Sequence, residues 1–174
     1  VSGNEYDGTV TGGTWTAGQF DNALEFSSAA GDRVHVNHDV LSAIDDEITI
    51  ALWQKGNPAV QPAVDYCFDA SKGSVNSEQT SILRIHIPHG DGVVYFDAGG
   101  THVDGAYDRI GKAADPNDYE GKWSHWVFTK NVAAGTMKIY LNGQLWHSGT
   151  GLFEPLVGNT DFAIGSRLVA DNGE

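Results

Sequence analysis

Apolar and polar residues alternate along much of the chain with the period of two that places them on opposite faces of a β-strand. The clearest case surrounds Trp126 and Phe128, which fall on one face with polar or smaller residues between them. The segment 136–141 repeats the alternation, and Asn142-Gly143 follows it as the residue pair that favours a tight hairpin turn. These features predict antiparallel strands joined by short turns.

Similar signals recur in the rest of the chain. Further strands are predicted at 24–26, 33–36, 48–55, 64–70, 82–87, 93–98 and 109–112. Clusters of Gly, Pro, Asn, Asp and Ser separate them, and one helical turn is predicted at 41–46. Many short strands with almost no helix predict an all-β fold, a two-sheet antiparallel β-sandwich that occupies residues 1–174 as a single domain.

The predicted hairpin around residue 90 concentrates polar chemistry on one face. Its apolar residues share the face that we expect to look into the core, whereas Arg84, His86, Tyr95 and Asp97 share the other. Guanidinium donors, an aromatic ring and carboxylate acceptors are the groups that bind sugar hydroxyls and sugar rings. The alternative is that these residues form the solvated face of an antiparallel sheet.

Two loops extend this candidate ligand-binding site. The loop inside the hairpin supplies His89 and Asp91, and a later rim loop supplies Tyr107, Asp108 and Arg109. We expect these side chains to reach a ligand at the edge of the sheet.

Five tryptophans divide into two predicted groups. Trp53, Trp123 and Trp126 lie in strand patterns and are predicted to be core residues. Trp15 and Trp146 lie in stretches flanked by Gly and Ser, and are the candidates for exposed stacking platforms.

Composition narrows the range of partners. Ten Lys and Arg against 23 Asp and Glu give a formal net charge of −13, which would repel phosphate backbones, so we expect no nucleic-acid partner. No apolar run approaches the ~20 residues of a membrane span, so we expect no membrane insertion. The single cysteine, Cys67, excludes an internal disulfide, and its strand pattern favours a buried small hydrophobe over a nucleophile.

Two motifs of the central hairpin resemble a known family. Trp-x-x-Trp-Val-Phe-Thr-Lys at 123–130 and Lys-Ile-Tyr-Leu-Asn-Gly at 138–143 are similar to the central hairpin of laminin G-like domains in the concanavalin A-like lectin and glucanase superfamily. The similarity extends, in the family's order, to 21–26, 48–53 and 162–166. It implies a concanavalin A-like jelly roll that uses its concave sheet and rim loops for ligands.

The resemblance also carries expectations about the two ends of the fold. The chain starts inside the family's opening loop and stops before its last strand, which implies that the first and last strands are lacking, because the sequence is trimmed or because a partner segment completes the sheet. Related domains commonly bind a structural Ca²⁺ in the opening loop, and Asn4 and Asp7 match those loop positions. A second oxygen-rich loop at 115–118 is predicted to cap its own backbone instead of binding calcium.

We therefore expect a non-catalytic module of a larger secreted or cell-surface protein, which binds a polysaccharide or other glycan or mediates adhesion beside neighbouring domains of the parent protein. One alternative is an enzyme of the same fold, since 94–99 resembles the Tyr-Phe-Lys-Ala-Gly strand of alginate-type lyases with Asp97 at the lysine position. A glycoside hydrolase is less favoured, because no strand carries the closely spaced carboxylates of a retaining enzyme. A further alternative is an architectural module of an extracellular assembly.

Overall fold

The computed structural model describes residues 7–27, 31–36, 39–72, 80–101 and 103–167. In chain order the elements are β1 (Thr9–Thr11), β2 (Thr14–Ala17), β3 (Asn22–Glu25), β4 (Arg33–Val36), a 3₁₀ turn (Asp39–Leu41), β5 (Glu47–Gln54), β6 (Phe68–Lys72), β7 (Ser81–His86), β8 (Val93–Thr101), β9 (Ala106–Ala113), α1 (Pro116–Tyr119), β10 (Ser124–Asn131), β11 (Thr136–Leu141), β12 (Gln144–Thr150) and β13 (Asn159–Ile164). The predicted all-β fold is confirmed.

Two antiparallel sheets form the sandwich. The larger has seven strands in the order β1-β4-β13-β6-β7-β8-β9, and the smaller has four in the order β12-β11-β10-β5. A separate hairpin pairs β2 with β3. We use "outer face" for the side of each sheet that points away from the other sheet.

The core lies between the two sheets and follows the predicted alternation. Trp126 and Phe128 of β10 and Met137 and Ile139 of β11 have no exposed surface. From the seven-stranded sheet, the inward residues with at most 3% exposure include Ala70, Leu83, Ile85, Val94, Phe96 and Ala98, and Ile87 joins them just after β7. Burial of these side chains, at about 25 cal/mol per Å² of apolar surface, is the main term that holds the sheets together.

The turn between β11 and β12 has the predicted geometry. Asn142 and Gly143 have φ of 50° and 80°, the left-handed conformations that such a two-residue turn requires. Asn142 also fixes the neighbouring strand, because its Oδ1 accepts a hydrogen bond from the His125 backbone N–H at 2.9 Å. The hairpin is therefore closed by both backbone conformation and a side-chain contact.

Two local predictions differ from the structure. Of the segment 64–70, only the part from Phe68 onward is strand, and Asp65 and Tyr66 lie against the outer face of the seven-stranded sheet instead. The segment 41–46 contains a turn rather than a helix, while the short α1 begins at Pro116, capped by Asp115. Within the described ranges, no helix is long and apolar enough to span a membrane.

The tryptophans only partly follow their predictions. Trp126 is buried and Trp15 is 65% exposed, as expected. Trp123 and Trp146 are half-buried, and Trp146 packs its ring edge-on against Trp126 with centroids 5.3 Å apart. Trp53 is 40% exposed, so our assignment of it to the core is wrong. The reason is strand parity, because Trp53 alternates with the inward Leu52.

Candidate functional site

Strand register brings the predicted polar residues of the seven-stranded sheet together. In the β7–β8 pair Arg84 lies opposite Asp97 and His86 opposite Tyr95, and in the β8–β9 pair Asp97 lies opposite Arg109. All of these side chains point to the outer face, since the residues between them fill the core. The outer face therefore collects side chains from three adjacent strands.

Arg109 is the centre of the exposed part of this surface. Its Nε and Nη2 donate to Asp97 Oδ1 and Oδ2 at 2.6 and 2.7 Å, the two-pronged geometry that fixes a guanidinium plane. Its Cζ lies 4.8 Å from the ring centroid of Tyr95 and 5.4 Å from that of Tyr107. The hydrogen bonds that Arg109 donates to the Asp97 carboxylate raise the pKa of Arg109, so the stack is held by a permanent cation. We call Tyr107, Arg109 and Tyr95 the tyrosine–arginine stack.

A glycine makes room for the stack. A Cβ at Gly111 would lie 2.7 Å from Cδ1 of the Tyr95 ring, closer than carbon atoms approach. Gly111 faces Tyr95 in the β8–β9 register, so the ring can lie flat across β9 only because that position has no side chain.

The stack ends at the loop between β7 and β8. The Tyr95 hydroxyl donates to Asp91 Oδ2 at 2.8 Å, which lowers the pKa of Asp91 and raises that of Tyr95. His89 Nδ1 lies 3.4 Å from Asp91 Oδ1, and the two side chains are 34% and 49% exposed. Together with Tyr107, which is 36% exposed, they form a strip of aromatic and charged groups that a ligand can reach.

The other end of the polar face is covered. Arg84 and His86 are only 5% and 4% exposed, because Tyr66 lies over them: its ring centroid is 4.7 Å from that of His86 and 5.5 Å from Cζ of Arg84. Asp97 is 5% exposed and is held by the Arg109 guanidinium. Neither of our two interpretations of this face anticipated a cover. Tyr66 is not among the predicted site residues, because residues 64–70 carry a strand pattern and no sequence signal places Tyr66 over the sheet.

Hydrogen bonds engage the buried side chains beneath Tyr66. His86 Nδ1 donates to the backbone carbonyl of Asp65. Arg84 Nη2 donates to Ser81 Oγ at 2.8 Å, and Ser81 Oγ donates to Asp69 Oδ1 at 2.7 Å. Burial lowers the pKa of His86 to about 4, so its imidazole is neutral at neutral pH.

Asp108 does not join Tyr107 and Arg109 on the outer face. It alternates with them along β9, points inward and is 7% exposed. There it forms an ion pair with Lys130, whose side chain is completely buried, and it accepts the backbone N–H of Glu154 at 2.8 Å. Our prediction that Asp108 faces a ligand therefore does not fit the geometry, and the residue serves the interior instead.

The two loops considered for calcium give different results. Asp115 Oδ1 accepts from the Asn117 N–H at 2.9 Å and Asp118 Oδ2 accepts from the Asp115 N–H at 3.2 Å, so the loop at 115–118 caps its own helix as predicted. In the opening loop Asp7 is exposed, whereas Asn4 lies outside the described residues. The described ranges contain no group of three or more His, Cys, Asp or Glu placed to hold a metal ion. Calcium at Asn4 and Asp7 stays a prediction.

A comparison with known protein families identifies the family of the chain. A family model of the laminin G type, described as concanavalin A-like lectin/glucanases superfamily, matches residues 28–173. The chain belongs to this family. The match confirms the resemblance seen in the central hairpin and agrees with the two antiparallel sheets of this laminin G-like chain. A comparison with curated protein sequences found no match.

Solved structures with the same fold include receptor-binding domains of botulinum neurotoxins. The domain of the mosaic serotype C/D is 18% identical with a TM-score of 0.67, over 96% of this laminin G-like chain and 40% of the toxin chain. The serotype D ligand-binding domain in complex with N-acetylneuraminic acid is 21% identical with a TM-score of 0.68, over 92% and 38% of the two chains. The serotype G binding domain is 15% identical with a TM-score of 0.62, over 93% and 39%. The laminin G-like chain thus spans about two fifths of each toxin chain, and the likeness concerns the fold.

Proposed function

We propose that this laminin G-like chain is a non-catalytic carbohydrate-binding module, and that the tyrosine–arginine stack with His89 and Asp91 is its contact surface. The observation that carries the proposal is the exposed strip itself: two tyrosine rings hold a guanidinium between them, beside a carboxylate and an imidazole. Ring faces suit the apolar side of a sugar, and the charged groups suit its hydroxyls. Asp97 occupies two of the five guanidinium N–H groups of Arg109, which leaves donors for a ligand.

Two further findings support a binding role. The family is one of lectins and glucanases, and the structural neighbours named above are binding domains, one of them in complex with a sialic acid. His86, a potential acid–base group, is buried beneath Tyr66 and engaged with the Asp65 carbonyl, which favours binding over proton transfer to a substrate. We also propose that the chain is one module of a larger secreted or cell-surface protein and lies beside other domains of that protein.

A glycan array with the purified chain tests the proposal. We expect Tyr107→Ala to weaken binding about tenfold, the usual effect of removing an aromatic anchor, because the ring is exposed and its loss leaves the Asp97–Arg109 pair intact. The matched control is Trp15→Ala, which removes a more exposed ring from the separate β2–β3 hairpin and should bind like the wild type.

Two outcomes would contradict this assignment. Equal binding by the wild type and Tyr107→Ala would remove the stack from the contact surface. Release of reducing ends or unsaturated products from a polysaccharide incubated with the wild type would show turnover, and would replace the binding module with an enzyme of the same fold.

A further inference from the structure

Within the part of the chain that the structure describes, the outer face of the four-stranded sheet is more open than that of the seven-stranded sheet. Every outward residue of its edge strand β5 is exposed: Glu47, Thr49, Ala51 and Trp53. The outward residues of β10 and β11 are half-buried, and none of them is fully buried. By contrast, all six residues of β7 are buried, on both faces of the other sheet. Water therefore reaches one outer face along the whole length of its strands.

Strand register arranges this open face in four rows, each two residues further along the strands and therefore roughly 7 Å from the last. The rows are Trp53 with His125, Ala51 with Val127 and Tyr140, Thr49 with Thr129 and Lys138, and Glu47 with Asn131 and Thr136. The face thus changes from aromatic at one end, through Ala51, Val127, Tyr140 and the exposed Leu145 of β12 in the middle, to hydroxyl, amide and charged groups at the other.

The aromatic end is an ordered row of exposed rings. Phe20, at the tip of the β2–β3 hairpin, is 69% exposed and contacts the Trp53 ring edge-on at a centroid distance of 5.7 Å. The Trp53 ring lies 5.0 Å from that of His125. We call these three residues the aromatic row. Rings of this size that are fixed against each other yet left in water mark a surface that a partner covers.

The polar end is a groove of about 500 Å³. It is lined mainly by hydroxyl, amide and charged side chains, namely those of Glu47, Thr49, Thr129, Asn131, Thr136 and Lys138. Glu47 and Lys138 bring one negative and one positive charge, and Asn131 Nδ2 donates to the Glu47 carboxylate. Such a lining offers both donors and acceptors without a dominant charge.

We infer that this outer face is a second glycan-binding surface, which takes an extended neutral polysaccharide chain lying along the strands. Sugar rings would stack on the aromatic row and sugar hydroxyls would bond in the groove. An anionic polymer fits poorly, because the groove carries no excess positive charge and the chain carries a formal net charge of −13. A protein partner fits poorly as well, since the centre of a protein interface is depleted of the charged groups that line this groove.

The inference stands on residues other than the tyrosine–arginine stack and does not need that stack to bind sugar. The two surfaces lie on opposite sides of the sandwich.

Affinity gel electrophoresis through soluble β-glucan, galactomannan or xylan tests the inference, with heparin as the anionic comparison. We expect at least one neutral polymer to retard the wild type, and Trp53→Ala to weaken that binding about tenfold. Trp53→Phe keeps a ring and should retain most of the affinity, which separates a binding defect from a folding defect. Thr129→Val keeps the side-chain shape and removes a groove hydroxyl, and should weaken binding about threefold or more.

Trp15→Ala is the control and should bind these polymers like the wild type, whereas Tyr107→Ala measures the share of binding that belongs to the tyrosine–arginine stack. The inference is overturned if no neutral polymer retards the wild type, if heparin alone does, or if Trp53→Ala binds normally. Loss in Tyr107→Ala with normal binding by Trp53→Ala would leave the proposed function standing and remove only the second surface. A wild-type dimer that Trp53→Ala dissociates in sedimentation would assign the open face to a second copy of the chain and would also overturn the inference.

Discussion

Acidification should destabilise the protein through His86. Burial holds the pKa of this imidazole near 4 in the folded state, against 6.5 for the unperturbed group, and the charges of His89 and Arg84 lower it further while the Asp65 carbonyl opposes the shift. The unfolded chain therefore takes up a proton before the folded chain does. The stability that comes from keeping His86 neutral is therefore fully present above pH ~6.5 and is lost as the pH falls toward ~4. Between pH ~7.5 and ~4.5 the loss amounts to about 2–3 kcal/mol, a large part of the 5–15 kcal/mol typical of a whole domain.

Urea unfolding at a series of pH values measures this loss, and His86→Asn isolates it. Asparagine places an amide nitrogen near the position of Nδ1, so the bond to the Asp65 carbonyl is retained while the titrating group is removed. The informative quantity is the difference in free energy of unfolding between wild type and variant, because carboxylates titrate equally in both. We expect the wild type to lose about 2–3 kcal/mol more than the variant over this range. Parallel pH profiles would refute the reasoning and show that His86 is hydrated in the folded state.

Three other outcomes can be measured on the same protein. Lys130→Met should lower the free energy of unfolding by about 3–5 kcal/mol, because it leaves the buried carboxylate of Asp108 without its cation, and Lys130→Met with Asp108→Leu should recover most of that loss in urea titrations. Gly143→Ala should cost about 1–2 kcal/mol in thermal unfolding, since φ of 80° is strained for any residue with a Cβ, whereas substitution by Asn should cost less. Desolvation raises the pKa of Cys67 to about 12, so a thiol-disulfide reagent at pH ~8 should modify this half-buried thiol much more slowly in the native protein than in the urea-unfolded chain, and equal rates would contradict this.

Local alternation was enough to predict the sandwich and to bring most of the candidate site together. Once β7 and β8 are paired around their loop, a period of two places Arg84 and His86 beside Asp97 and Tyr95 without any further information. The cover over this face could not be predicted in the same way. Tyr66 reaches it through an irregular segment, and its position depends on contacts between residues about twenty positions apart in sequence, such as that of Asp65 with His86.

Strand parity would also have placed the two residues that were misassigned. On β5 the apolar residues Ile48, Ile50 and Leu52 alternate with Trp53, which therefore faces outward. The prediction that Trp53 is a core residue followed the size of its ring instead of its position in the strand. On β9 Asp108 shares the inward parity of Ile110, and an acidic side chain there is stable only because β10 supplies a buried lysine opposite it. In both cases the period of the strand, and not the polarity of the residue, decides the face. A large aromatic residue at an outward position of a strand, and a charged residue at an inward position, are therefore the exceptions to look for in such a sequence. Here Trp53 is the first kind and belongs to the aromatic row, and Asp108 is the second kind and belongs to the internal ion pair.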